Sequence, residues 1–520
     1  MIPDLVIRNG TVYDGTGADG RVCDVAVAGG RIVDVGDVPI AGAYEEVEAA
    51  GLVVAPGFID IHSHSDYTLL VDPRAVSAIC QGVTLEVVGN CGFGCFPISD
   101  PVLANRAIYG YSDGAVPITW TSAGGYFERL EEARPAVNVL SLVPNGQLRL
   151  ATVGFEDRAA TAAELRRMED LLRESLKEGA WGYSTGLEYP WEQGAPEAEV
   201  ATLARHARFY ATHTRNRDEA AADAVAEALR VATKADVRVQ VSHLVPRSGD
   251  EGARECARLI EEARAAGLDV AFDMHTRRFG LTYLYTALPG WALGVSSPEL
   301  AVMLADAGAR EQMRPHRSIL SALGDWSRVV LLDNPVWPQY ARRDIATIAE
   351  ERRQSPLDAI YDLLLGGVEH LSQLMVILHS YSEEQQCDAF AHPLCVPGSD
   401  ATTLAPTGPL ADSFFHGAYT WASWYWRFMV REKGLLTPAE AVHRMTGQPA
   451  ERLGLIDRGI LAERARADIV VFDPSEFRDR GTTFEPNQLA EGVVHVFVNG
   501  VHTLDRGELT GARGGMVIRR

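Results

Sequence analysis

Apolar positions along the 520-residue chain follow different rhythms at its ends and in its middle. Residues 1–55 carry short alternating runs broken by glycine: Asp4–Arg8, the turn Asp14-Gly15-Thr16-Gly17, Asp24–Val27, the pair Gly29-Gly30, and Arg31–Val35. A period of two with Gly-rich turns predicts short strands in a small sheet. The same texture returns in Asp468–Asp473 and in Val493–Asn499, which is closed by Gly500. Two like ends around a different middle predict a small discontinuous β-sandwich domain, residues 1–55 with 461–520.

Between them, residues 56–460 alternate apolar strands with helices, the mark of a parallel α/β fold. Candidate strands are Phe58–His62, Thr84–Gly89, Val137–Leu142, Gly182–Thr185, Phe209–His213, Arg238–His243, Asp269–His275 and Leu394–Ser399. Thr161-Ala-Ala-Glu164 is a capping box that opens a helix ending at Gly179. Thr437-Pro438-Ala439-Glu440 combines an N-cap, proline at the first helical position and an acidic third position. Eight strands predict a (β/α)8 TIM-like barrel, although the count alone also accommodates an open sheet. The long gap between the last two strands predicts a mainly helical insertion at about 276–390.

Composition narrows the class. Hydrophobic residues are 47% and charged residues 23% of the chain, a globular balance that excludes disorder and a small disulfide scaffold. A net charge of −22 repels phosphate backbones and anionic bilayers, so neither nucleic acid nor membrane is expected as partner; a small molecule is. No basic segment followed by an apolar core opens the chain, and no run reaches the roughly 20 apolar residues of a membrane span. Seven scattered cysteines, an odd number, fit a reducing compartment and predict a cytoplasmic protein.

Potential metal ligands gather at the predicted strand ends. His62 and His64 close the first strand two residues apart, a spacing that points both imidazoles to one face. Cys91 lies just past the second strand, His213 ends the fifth, His243 the sixth, and Asp400 follows the eighth. Barrel enzymes place their chemistry at this rim, and the convergence predicts a metal centre. Simpler roles compete: a buried structural thiol for Cys91, and a helix N-cap for Asp400. Cys95 reads as a core cysteine.

The pattern resembles the amidohydrolase superfamily and, within it, the N-acyl-D-amino-acid deacylases (D-aminoacylases). The resemblance covers nearly the whole chain, from Asp4-Leu5-Val6-Ile7-Arg8-Asn9-Gly10 to Met445-Thr446-Gly447. It runs through Pro56–His64, Gln81–Thr84, Gly89-Asn90-Cys91-Gly92, Ser184–Tyr189, Ala211-Thr212-His213, Val241–Leu244 and Gly398-Ser399-Asp400. It implies a zinc ion held tightly by Cys91, His213 and His243, with His62, His64 and Asp400 around a second position that is weak or empty. Many superfamily members use a carboxylated lysine on strand four; the three lysines here, Lys177, Lys234 and Lys433, are not at strand ends, and Cys91 occupies the place of the deacylase cysteine. The implied reaction is hydrolysis of a linear amide C–N bond of a small-molecule substrate, with Asp400 as general base and acid.

Tyr189 matches a tyrosine that binds the substrate carboxylate in the family. Two cationic anchors for that carboxylate are missing. The lysine expected two residues after His243 is Val245, and the His-Pro-Arg element expected after Asp400 is replaced by Ala405-Pro406-Thr407-Gly408-Pro409-Leu410. Either Arg247, Arg277 or Arg278, all just past strand ends, supplies a relocated clamp, or the substrate is a neutral amide, cyclic amide or D-residue dipeptide. In the second case the aromatic run Trp421–Trp426 beside Phe414 and Phe415 shapes an apolar pocket. His275, at the end of strand seven, and His416 are further polar candidates. A metal-free, non-catalytic regulatory barrel is the reading from another class.

Overall fold

The computed structural model describes residues 2–38, 43–110, 115–322 and 324–520. Eight parallel strands lie side by side in chain order: Phe58–Asp60, Val83–Val88, Asn138–Pro144, Gly182–Gly186, Phe209–His213, Arg238–Val241, Val270–His275 and Cys395–Gly398. The first and eighth meet just past their C-terminal ends, where Asp400 N donates to His62 O over 2.8 Å and His64 N to Ala401 O over 2.8 Å. Closure thus falls on the segments that carry three of the expected ligands. Most of these strands are buried along their whole length, which is why they read as apolar runs rather than as alternation.

The helices between strands are set by their caps. Thr161 and Glu164 form the full capping box, and Ala162–Lys177 turns Met168, Leu172 and Leu176 onto the barrel. Thr437 and Glu440 do the same for Pro438–Met445.

Both termini build one nine-stranded sheet. Its seam is the antiparallel pairing of Val53–Pro56 with Ile469–Phe472. The C-terminal tail then runs along the third barrel strand, where Ile518 N donates to Val139 O over 2.7 Å.

Between barrel strands seven and eight, helices including Ser297–Ala305, Ile345–Arg352 and Pro356–Gly366 accompany a three-stranded antiparallel sheet. That sheet, Phe279–Tyr283, Val329–Leu331 and Met375–His379, was not marked by the sequence pattern. Its buried side chains join a cluster with Cys91, Phe93 and Tyr189, so the insertion covers the barrel mouth. Among the described residues, no helix is long and apolar enough to cross a membrane.

Candidate metal centre at the barrel mouth

The second strand delivers its ligand through Gly89, whose φ is +80° and where a Cβ would lie 2.3 Å from Leu142 O. Only glycine passes there, and the chain then turns Cys91 inward. Cys91 (φ +53°), His243 (φ +35°) and Asp400 (φ +46°) all adopt left-handed backbone, which is unusual for non-glycine residues. The backbone is held by nearby bonds: His243 N donates to Asp273 Oδ1 over 2.8 Å, and Asn90 Nδ2 to Val87 O over 2.9 Å.

His62, Cys91, His243 and Asp400 form a compact donor group, with ligand atoms all within 4.8 Å of one another. Cys91 Sγ lies 3.1 Å from His62 Nε2 and 3.5 Å from His243 Nε2. Sulfur and nitrogen ligands at about 2.3 and 2.0 Å around a tetrahedral ion stand about 3.5 Å apart, so these spacings suit one cation. Asp400 Oδ1 is 3.2 Å from His64 Nε2 and 3.5 Å from His62 Nε2.

His213 is outside that compact group but beside it, its ring centroid 4.6 Å from that of His243. Its Nε2 lies 2.8 Å from Glu188 Oε2, and its Nδ1 is buried with no partner. Nδ1 of His64 and of His243 are likewise buried and unpartnered. For His213, whose Nε2 is taken by Glu188, a metal ion is one thing that would satisfy the free Nδ1; His64 and His243 instead face the donor group through Nε2.

Charged residues behind the donors fix their tautomers and charges. His62 Nδ1 is 2.9 Å from Asp273 Oδ1, which leaves Nε2 facing Cys91. Glu188 is paired with Arg247, and Arg247 also donates to Asp218 at 3.0 and 2.9 Å. Burial alone would raise the Glu188 carboxyl, but the Arg247 charge and the His213 bond hold it at about 2. Arg277 Nη2 donates to Asp400 Oδ2 over 2.7 Å. Burial works against ionised Asp400, yet the His64 bond and the Arg277 charge keep its carboxyl well below the ordinary range. For Cys91 burial wins, and the thiol is pushed up despite His62.

The remaining expected residues separate. Tyr189 is buried, its ring stacked on Trp191 at 5.4 Å and 4.9 Å from the His213 ring, and it lines the small cavity at the mouth. His275 lines the same cavity, with Nε2 3.8 Å from Asp400 Oδ2. Arg247 lines it too, but its donors are committed to Glu188 and Asp218; Arg277 is committed to Asp400, Ser399 O and His416 O. Arg278 is exposed on a separate surface groove. Cys95 is buried outside the donor group. Trp426 packs on Phe472 at 4.9 Å, in the core rather than at the mouth. His416 packs edge-on to Phe279 at 4.8 Å.

Several functional neighbours escaped the sequence pattern. Asp273 lies two residues before His275 on the same strand, a spacing that could have marked it. Glu188 precedes Tyr189 directly. Arg217 and Asp218, in the loop after strand five, gave no periodic signal.

A family profile for amidohydrolases matches residues 45–347 and 391–503. The chain belongs to the amidohydrolase family. This amidohydrolase is 34% identical to an N-acyl-D-aspartate deacylase of Alcaligenes xylosoxydans xylosoxydans, over 99% of this chain and 95% of that one. A solved D-aminoacylase, described as having a binuclear metal centre, superposes with a TM-score of 0.82 at 31% identity, covering 100% of both chains. An N-acyl-D-glutamate deacylase from Bordetella bronchiseptica, solved with zinc and a phosphonate mimic of the tetrahedral intermediate, gives 0.82 at 30%, again covering 100% of both.

Proposed function

We propose that this amidohydrolase is a zinc-dependent N-acyl-D-amino-acid deacylase, cleaving the amide C–N bond to a carboxylate and a free D-amino acid. The observation that carries it is the meeting of Cys91, a thiol donor, with the imidazoles of His62 and His243 and the carboxylate of Asp400 in one buried group, with the His213 ring packed beside it. Its relatives over the full length act on N-acyl-D-amino acids by name.

Cys91, His213 and His243 would hold the tightly bound ion. The assignment of His213 to that ion follows the family resemblance and is supported by its Nδ1, which is buried with no partner. His62, His64 and Asp400 would frame a weaker second position. A bound zinc ion would polarise the scissile carbonyl and acidify water near it. Asp400 accepts the proton of the attacking water at a carboxylate oxygen and returns it to the leaving nitrogen. Arg277 fixes Asp400 Oδ2, so the proton-handling atom is Oδ1, the one facing His62 and His64. The insertion sheet covers the mouth and excludes water from the reacting centre.

Zinc-loaded protein assayed on N-acetyl-D- and N-acetyl-L-amino acids tests this reading, with metal content measured on the same sample. Turnover restricted to D forms and proportional to zinc supports it. A protein that stays inert with zinc bound refutes it and favours a regulatory role.

A further inference from the structure

We infer that Arg217 anchors the substrate's carboxylate, and that the cavity accepts one carboxylate beside an apolar side chain. This rests on the deacylase reading and goes further, to the residue and the substrate subclass.

Val245 and the segment 405–410 leave the cavity without the family's expected cations. Arg247 and Arg277 cannot replace them, because each is already neutralised by carboxylates of the protein, and Arg278 points to solvent elsewhere. Arg217 differs. It is 5% exposed and lines the mouth cavity with Tyr189, His213, His243 and Asp400. All its side-chain hydrogen bonds leave from Nη2, to His243 O at 2.6 Å, Val245 O at 3.1 Å and Tyr381 Oη at 2.6 Å. Nε is buried with no acceptor, and among the described residues no carboxylate lies within 4.0 Å of the guanidinium. A buried cation with neutral partners only is costly, and an incoming carboxylate offsets that cost. Thr282 Oγ1, on the insertion sheet, lines the same cavity and also lacks a partner.

The rest of the lining sets the side chain. Leu281, Ile319 and Leu378 are apolar, and the other two arginines of the site are already paired. A second carboxylate, as in an N-acyl-D-aspartate, would meet no free cation and be desolvated without compensation.

A structural role competes: Glu188 and Asp218 carry two negative charges against the single charge of Arg247, and Arg217 is joined to Arg247 through the backbone, its carbonyl accepting from Arg247 N over 2.6 Å. Kinetics on zinc-loaded enzyme separate the two, using N-acetyl-D-leucine, its carboxamide and N-acetyl-D-aspartate. Wild type should favour N-acetyl-D-leucine over both by about 30-fold or more in kcat/KM. Arg217→Gln should lose about 30-fold on the acid, chiefly in KM, and less than about 3-fold on the carboxamide. Arg217→Lys, which keeps the charge, should recover part of the loss. Equal losses on acid and carboxamide would overturn the assignment, as would a wild-type preference for the aspartate. If Arg217→Gln does not fold, the wild-type comparison and Arg217→Lys still decide. Wild type inert on all three compounds overturns the deacylase reading itself, and the assignment with it.

Discussion

His213 donates through Nε2 to Glu188 over 2.8 Å, and that single bond decides what its other nitrogen can do. With the proton on Nε2, Nδ1 presents a lone pair, and it presents it to a buried point with no protein partner. Burial keeps the ring neutral, lowering its proton affinity more than Glu188 raises it. Arg247 and Asp218 in turn hold Glu188. Glu188→Gln should therefore weaken zinc affinity by about 10- to 100-fold, read by chelator competition. Unchanged affinity would show that His213 does not ligate.

Two cysteines four residues apart allow a paired test of the thiol. Cys91 Sγ sits 3.1 Å from His62 Nε2, whereas Cys95 is buried in the main core cluster among apolar neighbours. Cys91→Ala should abolish tight zinc binding. Cys95→Ala should leave zinc content unchanged and cost on the order of 1 kcal/mol of stability. Metal analysis of both purified variants checks the pair, and equal zinc loss in both would count against Cys91 as ligand.

Asp400 is poised between His64 and Arg277, and the second of these sets its acidity from outside the donor group. Asp400→Asn should keep zinc and lose about 10²-fold or more in kcat, as for loss of a general base. Removing the Arg277 charge raises the Asp400 pKa. A base works only when ionised, so the acidic limb of the pH profile of kcat/KM in Arg277→Gln should move to higher pH. An acidic limb that stays in place would show that Arg277 acts on the backbone carbonyls of Ser399 and His416 alone.

The barrel was legible because its strands are buried on both faces, which leaves continuous apolar runs such as Phe209–His213, found to the residue. The insertion sheet was not. Phe279–Tyr283 contains Gly280 and Thr282, and Val329–Leu331 is only three residues long, too short for a period to show. The gathering of candidate donors at strand ends, His62 and Cys91 among them, was legible from position alone. What position cannot give is a partner from another element. Arg247 and Arg277 look like free cations in sequence, and only the fold supplies Glu188, Asp218 and Asp400 to neutralise them. Arg217 stands in a loop with no rhythm, and its value lies in what it does not touch.

Glu86, buried on the second barrel strand, makes folding stability depend on pH. It is buried, its Oε2 has no partner, and burial together with the nearby Asp60 raises its carboxyl from 4.5 to about 8. The folded chain therefore binds a proton there that the unfolded chain has released. Stability from this group is fully present below about 4.5 and is lost as pH rises through about 8. Between those limits one proton is worth about 1.4 kcal/mol per pH unit at most. Asp66, raised to about 7 by burial, and Asp60, raised to about 6, act in the same direction over narrower windows. Glu86→Gln keeps the neutral shape of the protonated acid and removes its titration. Its Tm should exceed that of wild type at pH 8 and approach it at pH 5, as followed by thermal unfolding across that range. A Tm difference independent of pH would mean that Glu86 is ionised in the folded barrel.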